Sequence, residues 1–141
     1  MIRYQAKIYK DGDSYSVVFP DLPGCLSSGD TKKEAQQYAR EALSLFLEEA
    51  RDVKWEVPKP KSRRGRQYEW VTPFPEVAIP LMIRTARLKN NLSQTQLAKR
   101  IGISVQQLQK LETPGKSNPT VKTLAAIGEA LNGTLDIRLV A

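Results

Sequence analysis

Between Ser93 and Glu112 the chain places two helix-start signatures eleven residues apart, and little else fits in that space. Ser93 with Gln96, and Ser104 with Gln107, have the spacing of a capping box. The hydroxyl accepts from the backbone N–H three residues on, and the amide side chain reaches back to the capping residue. Leu97, Ala98 and Ile101 make the inward stripe of the first helix, and Leu108 and Leu111 that of the second. Gly102 supplies a left-handed residue, Ile103 plugs the angle between the helices, and Ser104 caps the second one. The second helix then turns Val105, Gln106, Gln107, Gln109 and Lys110 outward.

Helical periodicity extends on both sides. Ile79, Met82, Ile83 and Ala86 mark a preceding helix, with Pro80 tolerated in its first turn and Asn90-Asn91 ending it. Thr120 caps a following helix with Val121, Leu124, Ala125, Gly128 and Leu131 on its buried stripe, and Asn132-Gly133 stops it. Leu135, Ile137 and Leu139 then alternate as a final strand. The segment from Ile79 to Asn132 closely resembles the lambda-repressor-like helix-turn-helix family, including the Glu112 to Pro119 connection and the helix start at Thr120. The resemblance implies binding to double-stranded DNA. Gln106 and Gln107 stand where that family reads bases, and a planar amide matches adenine N6 and N7. Val105 is placed to touch a thymine methyl, with Ser104 as the cap that aims the helix. Gln94, Lys99, Lys110 and Lys116 are the expected phosphate contacts. The plainer reading is that these glutamines are only polar surface.

Charge supports the first reading. Residues 1–60 hold 9 Lys/Arg against 10 Asp/Glu, whereas residues 61–141 hold 13 against 5, so the net +7 lies wholly in the second half. That asymmetry favours a polyanion partner there, ordinary solubilising charge being the alternative.

The first half alternates at period two. Ile2, Tyr4, Ala6 and Ile8 share one face, Asp11-Gly12 signals a turn, and Tyr15, Val17 and Phe19 continue on a second strand. Pro20-Asp21-Leu22-Pro23-Gly24 breaks it, and Cys25 to Ser28 reads as a third strand. Thr31 and Glu34 open a helix with Ala35, Tyr38, Ala39, Ala42, Leu43, Phe46 and Ala50 as its stripe. A proline-bearing basic loop, residues 58–66, leads to a last strand at Tyr68, Trp70 and Thr72. The run Phe19-Pro20-Asp21-Leu22-Pro23-Gly24-Cys25, then Ser28-Gly29-Asp30-Thr31, then Glu34-Ala35, resembles the HicB-type antitoxin family. The same pieces also serve an ordinary α+β domain, as strand stop, turn and cap. The basic loop departs from the family pattern.

The resemblance implies a partial ribonuclease-H-like domain that covers a HicA-type ribonuclease toxin, and some members append a helix-turn-helix domain. A toxin that grips RNA is positive, so carboxylates are the expected contacts. Asp21, Asp30, Glu48, Glu49 and Asp52 are available, beside Phe19 and Leu22 of the motif. The fold class is therefore α+β. Residues 1–75 make a β-β-β-α-β toxin-binding domain with its linker loop at 58–66. Residues 76–141 make an all-α helix-turn-helix domain with a C-terminal strand. Leu135, Ile137 and Leu139 are expected to pair across a twofold axis, making a homodimer or higher even oligomer. Pairing within the chain is the alternative.

Catalysis finds no support. The chain has no histidine and one cysteine, Cys25, so zinc sites, Cys/His nucleophiles and an internal disulfide are excluded. A two-metal nuclease needs clustered carboxylates, and the strands offer only Glu69. No metal or cofactor is expected. No leader and no membrane-length apolar run are seen, so a cytoplasmic protein is expected. The reading is an antitoxin that neutralises a messenger-RNA-cleaving toxin and represses its own operon. The alternative is a transcriptional regulator whose N-terminal domain senses a ligand or another protein.

Overall fold

Tyr4, Ala6 and Ile8 are at most 5% exposed, so the alternation that opens the chain does mark a buried strand face. The structure, a computed structural model, describes residues 2–49 and 55–140. Strands β1 (Tyr4–Asp11), β2 (Ser14–Val18) and β3 (Leu26–Gly29) precede helix α1 (Lys32–Glu48), and β4 (Tyr68–Val71) follows it. The element order is the expected β-β-β-α-β, and the sheet runs β3-β2-β1-β4 with every neighbour antiparallel.

Helix α1 lays Ala35, Ala39, Leu43 and Leu47, all fully buried, on the inner face of the sheet. Tyr38 was expected in that stripe but is 40% exposed. Ala50 and Asp52 lie outside the described residues. The Thr31 hydroxyl accepts from Glu34 N–H at 3.1 Å, yet the Glu34 carboxylate takes the N–H of Asp30 rather than that of Thr31. In β4 the register sets Val71 opposite Tyr4 and Glu69 opposite Ala6. Glu69 and Val71 therefore face α1, and Tyr68 and Trp70 face outward, because side chains alternate across a strand.

Helix α2 (Pro75–Lys89) belongs to both halves. Val77 and Leu81 join the first core with Tyr4, Phe19, Leu22 and Leu43. Ile83 joins a second core with Leu92, Leu97, Ala98, Leu108 and Ile127, against which Ile79 packs. Helix α2 is thus flanked on two sides, while Met82, one of the apolar residues that mark the helix in the sequence, is 42% exposed. A division at residue 75/76 falls in the first turn of α2 and would part Val77 and Leu81 from the core they fill. Pro80 is the sixth residue of the helix rather than part of its first turn.

Helices α3 (Gln94–Ile101), α4 (Val105–Leu111) and α5 (Val121–Ala130) complete the second half. Both capping boxes are formed, with Gln96 and Gln107 reaching back to Ser93 and Ser104 N–H at 2.8 Å each. Gly102 sits at φ 72°, and Thr120 caps α5 by accepting from Thr123 N–H. The expected C-terminal strand is not formed. Among the described residues, none after α5 is in a strand, because no neighbouring segment of the chain offers its backbone to pair with. Leu135, Ile137 and Leu139 are 37%, 58% and 98% exposed.

Candidate nucleic-acid interface

The corner between α3 and α4 works as local chemistry dictates. Gly102 turns the chain with left-handed dihedrals that a Cβ would strain, and Ile103 N–H closes back onto Ala98 carbonyl at 3.0 Å. Ile103 and Val105 pack against the second core, and Leu108 is fully buried beneath α4. What remains outward on α4 is Gln106, Gln107, Gln109 and Lys110, all exposed. The helix start therefore presents amides and a following cation, while its apolar side is anchored.

The sequence-level candidates divide on this surface. Gln106 is the second residue of α4 and no hydrogen bond within the chain engages its side chain among those described. Gln107 is different: its Oε1 accepts from Ser104 N–H, so its side chain is folded back onto the cap. Val105 is half-buried, so its methyls serve the core as much as the surface. Lys99, Lys110 and Lys116 are all exposed, at the ends of α3 and α4 and in the loop beyond. Gln94 is not simply a surface amide, since its Nε2 donates to Glu112 Oε2 at 3.0 Å.

That contact belongs to a cluster the sequence reading missed. Glu112, fully buried at the end of α4, accepts from Arg87 Nε at 2.6 Å and Nη2 at 2.9 Å, a two-pronged ion pair. Arg87 Nη1 donates to Leu92 carbonyl, and Arg84 Nη2 to Glu112 carbonyl. One carboxylate thus ties α2, the start of α3 and the end of α4 together, and it orients the helix that presents Gln106. The available signal was a lone glutamate closing an amphipathic helix in a strongly basic half, two arginines of the preceding helix being its possible partners.

The candidates of the first half are not brought together. Phe19 and Leu22 are 1% exposed and belong to the core, so they offer no surface to a partner. Asp21 is held by Arg63 of the basic loop, through Nη2 at 2.7 Å and Nη1 at 3.0 Å, and accepts Lys61 N–H at 2.8 Å. Hydrogen bonding to Arg63 holds its carboxyl below the usual aspartate range against the opposing effect of burial. The basic loop is thereby fastened to the motif it follows. Gln5 pins it further, exchanging hydrogen bonds with the Arg63 backbone. Glu48 lies against Gly115 of the second half. Asp30 and Glu49 are exposed but flank opposite ends of α1, roughly 28 Å apart at 1.5 Å per residue. Among the described residues, no group of three or more His, Cys, Asp or Glu could hold a metal ion, and no helix is long and apolar enough to cross a membrane.

Two stretches of the chain match known families. Residues 83–137 match the helix-turn-helix family, and residues 3–73 match the HicB-like antitoxin of bacterial toxin-antitoxin systems. The protein named antitoxin HicB 1 of Photorhabdus laumondii is 32% identical over 125 residues, covering 86% of this chain and 79% of the relative. The chain belongs to the HicB-like antitoxin family. A second Photorhabdus laumondii relative, antitoxin HicB 2, is 28% identical over 136 residues, covering 96% of this chain and 95% of its own. A chain of a HicA3 and HicB3 toxin-antitoxin complex is 22% identical, with a TM-score of 0.42, covering 52% of this chain and all of that one. This member of the HicB-like family thus joins a four-stranded α+β half to a helix-turn-helix half through the shared helix α2.

Proposed function

We propose that this HicB-like protein binds and neutralises a HicA-type messenger-RNA-cleaving toxin in the cytoplasm and represses its own operon by binding operator DNA. The observation that carries this is the union, in one chain, of a HicB-like half with a helix-turn-helix whose α4 presents Gln106, Gln109 and Lys110. The excess of cations in residues 61–141 supplies the electrostatic part of DNA affinity. The protein acts without catalysis, as a scaffold that covers one partner and reads another. Repression uses two copies, joined through Leu135, Ile137 and Leu139, so that two α4 helices meet successive turns of the major groove, about 34 Å apart. Exposure of those three side chains in the single chain supports that pairing. The test combines growth rescue with the neighbouring toxin gene expressed in the same cells and a mobility-shift assay on the operon's own promoter. Failure to rescue, or equal affinity for promoter and random DNA, overturns the corresponding half of the reading.

A further inference from the structure

The outer face of the sheet, turned away from α1, carries a pattern of exposed rings and cations. Trp70 is 39% and Tyr9 38% exposed on that face, and Tyr68 stands beside Lys7 across the β1–β4 pair. Each of the two most exposed rings has a cation over it. Arg3 Cζ lies 4.6 Å from the Trp70 ring centre, and Lys7 Nζ lies 5.2 Å from that of Tyr9. Burying an aromatic ring removes far more apolar surface from water than burying serine or threonine, so rings left on an open face stand out. These rings are spaced along adjacent strands, at about 6.8 Å for each two-residue step.

The charge of the face is one-sided. Arg64 and Arg66 are exposed in the loop whose Arg63 backbone is pinned to Gln5 of the same face. Among the described residues at outward positions of the strands, the acidic one is Asp11 at the hairpin end, where Ser16 hydroxyl donates to it. Among the described residues, none of the four cations Arg3, Lys7, Arg64 and Arg66 is in an ion pair, and the Asp21 carboxylate beside the loop is taken by Arg63. Rings flanked by unneutralised cations on a four-stranded antiparallel sheet form a surface on which bases stack and phosphates are neutralised. Duplex DNA hides the flat faces of its bases. The unpaired strand that a cell offers in quantity is RNA.

We propose that the outer sheet face binds single-stranded RNA, with bases stacked on Trp70 and Tyr9 and phosphates held by Arg3, Lys7, Arg64 and Arg66. The site is separate from α4, so one chain holds a duplex on one half and a single strand on the other. The inference does not rest on the antitoxin reading and stands or falls without it.

The test uses the full chain and a fluorescein-labelled 12-nucleotide RNA of mixed, unstructured sequence, followed by anisotropy. A Trp55→Phe protein leaves Trp70 as the sole tryptophan, and its emission should be quenched saturably by the unlabelled RNA. Trp70→Ala should weaken binding about 10-fold. Arg3→Glu with Lys7→Glu should abolish it at moderate salt, and neither change should alter affinity for promoter duplex. Lys99→Glu with Lys110→Glu should do the reverse. Each protein's thermal unfolding is recorded to confirm that it is folded. The proposal is overturned by an absence of saturable binding. It is equally overturned by RNA binding that survives Trp70→Ala and is lost with Lys99→Glu and Lys110→Glu, or by tighter binding of single-stranded DNA of the same sequence. Light scattering that shows a dimer dissolved by Trp70→Ala would make this face an interface between copies instead.

Discussion

The backbone N–H of Gly115 donates to the carbonyl of Glu76 at 2.9 Å. That acceptor is open because Pro80, four residues on, has no N–H to close the helical bond. The loop after α4 therefore completes the ladder of α2, and α2 is shared by both cores. The loop that follows α4 is thus tied through backbone to the helix shared with the sheet half.

Gly115 holds this contact at φ 72°, where a Cβ is strained, and its added Cβ would meet only the flexible end of Glu48. Gly115→Ala should lower stability by about 1–2 kcal/mol. Gly115→Asn, which tolerates left-handed dihedrals, should lose less than half as much. Urea unfolding measures both, and equal losses would mean that the left-handed backbone is not what glycine supplies there.

The Arg87–Glu112 pair gives a sharper effect. Glu112→Ala strands Arg87, whose side chain is 5% exposed, without its counter-charge. The expected cost is about 3–5 kcal/mol. Arg87→Met combined with Glu112→Leu should be milder, since neither charge of the pair is left facing an apolar replacement, although the buried Arg84 beside Glu112 still loses a nearby carboxylate. A double variant as unstable as Glu112→Ala would assign the loss to packing instead.

On DNA, Gln106 and Gln107 should separate. Gln106→Ala should cost roughly 1–3 kcal/mol at the promoter and little on random duplex, with unfolding unchanged. Gln107→Ala should also weaken the fold by about 0.3–1.5 kcal/mol, because Ser104 loses its reciprocal partner. Gln107→Glu should keep the stability and lose the DNA. Mobility shifts alongside chemical denaturation distinguish the three.

The C-terminal segment tests assembly. Deleting residues 134–141 should give a monomer with much weaker promoter binding, since the exposed Leu135, Ile137 and Leu139 would lose their counterparts. A truncated protein that stays dimeric by light scattering refutes that pairing.

The Asp21–Arg63 link predicts a pH dependence. Asp21 titrates below its unfolded value of about 3.9, so its stabilising contribution is complete above that pH and is lost as pH falls through the lowered folded value. The Tm of Asp21→Asn should lie below that of the parent at pH 6, and the gap should close on acidification towards pH 2.5. A gap that is constant with pH would show that the carboxylate charge is not what matters.

Element type and order were legible from short-range chemistry. Alternation at Tyr4, Ala6 and Ile8, capping at Thr31, Ser93, Ser104 and Thr120, and left-handed stops at Asn91, Gly102 and Asn132 all act within four residues, where neighbours in sequence are neighbours in space. The outward face of α4 follows from the same periodicity. Tertiary structure alone decided the rest. It set Met82 outward and Val77 and Leu81 into the first core, because α2 is flanked from two sides and a one-face period cannot encode that. It buried Phe19 and Leu22, fastened Asp21 to Arg63, and spent Gln94 on Glu112, since a polar or apolar residue's partner is chosen by what packs beside it. It also left residues 134–140 without a strand, because a strand exists only where another backbone comes alongside to share its hydrogen bonds.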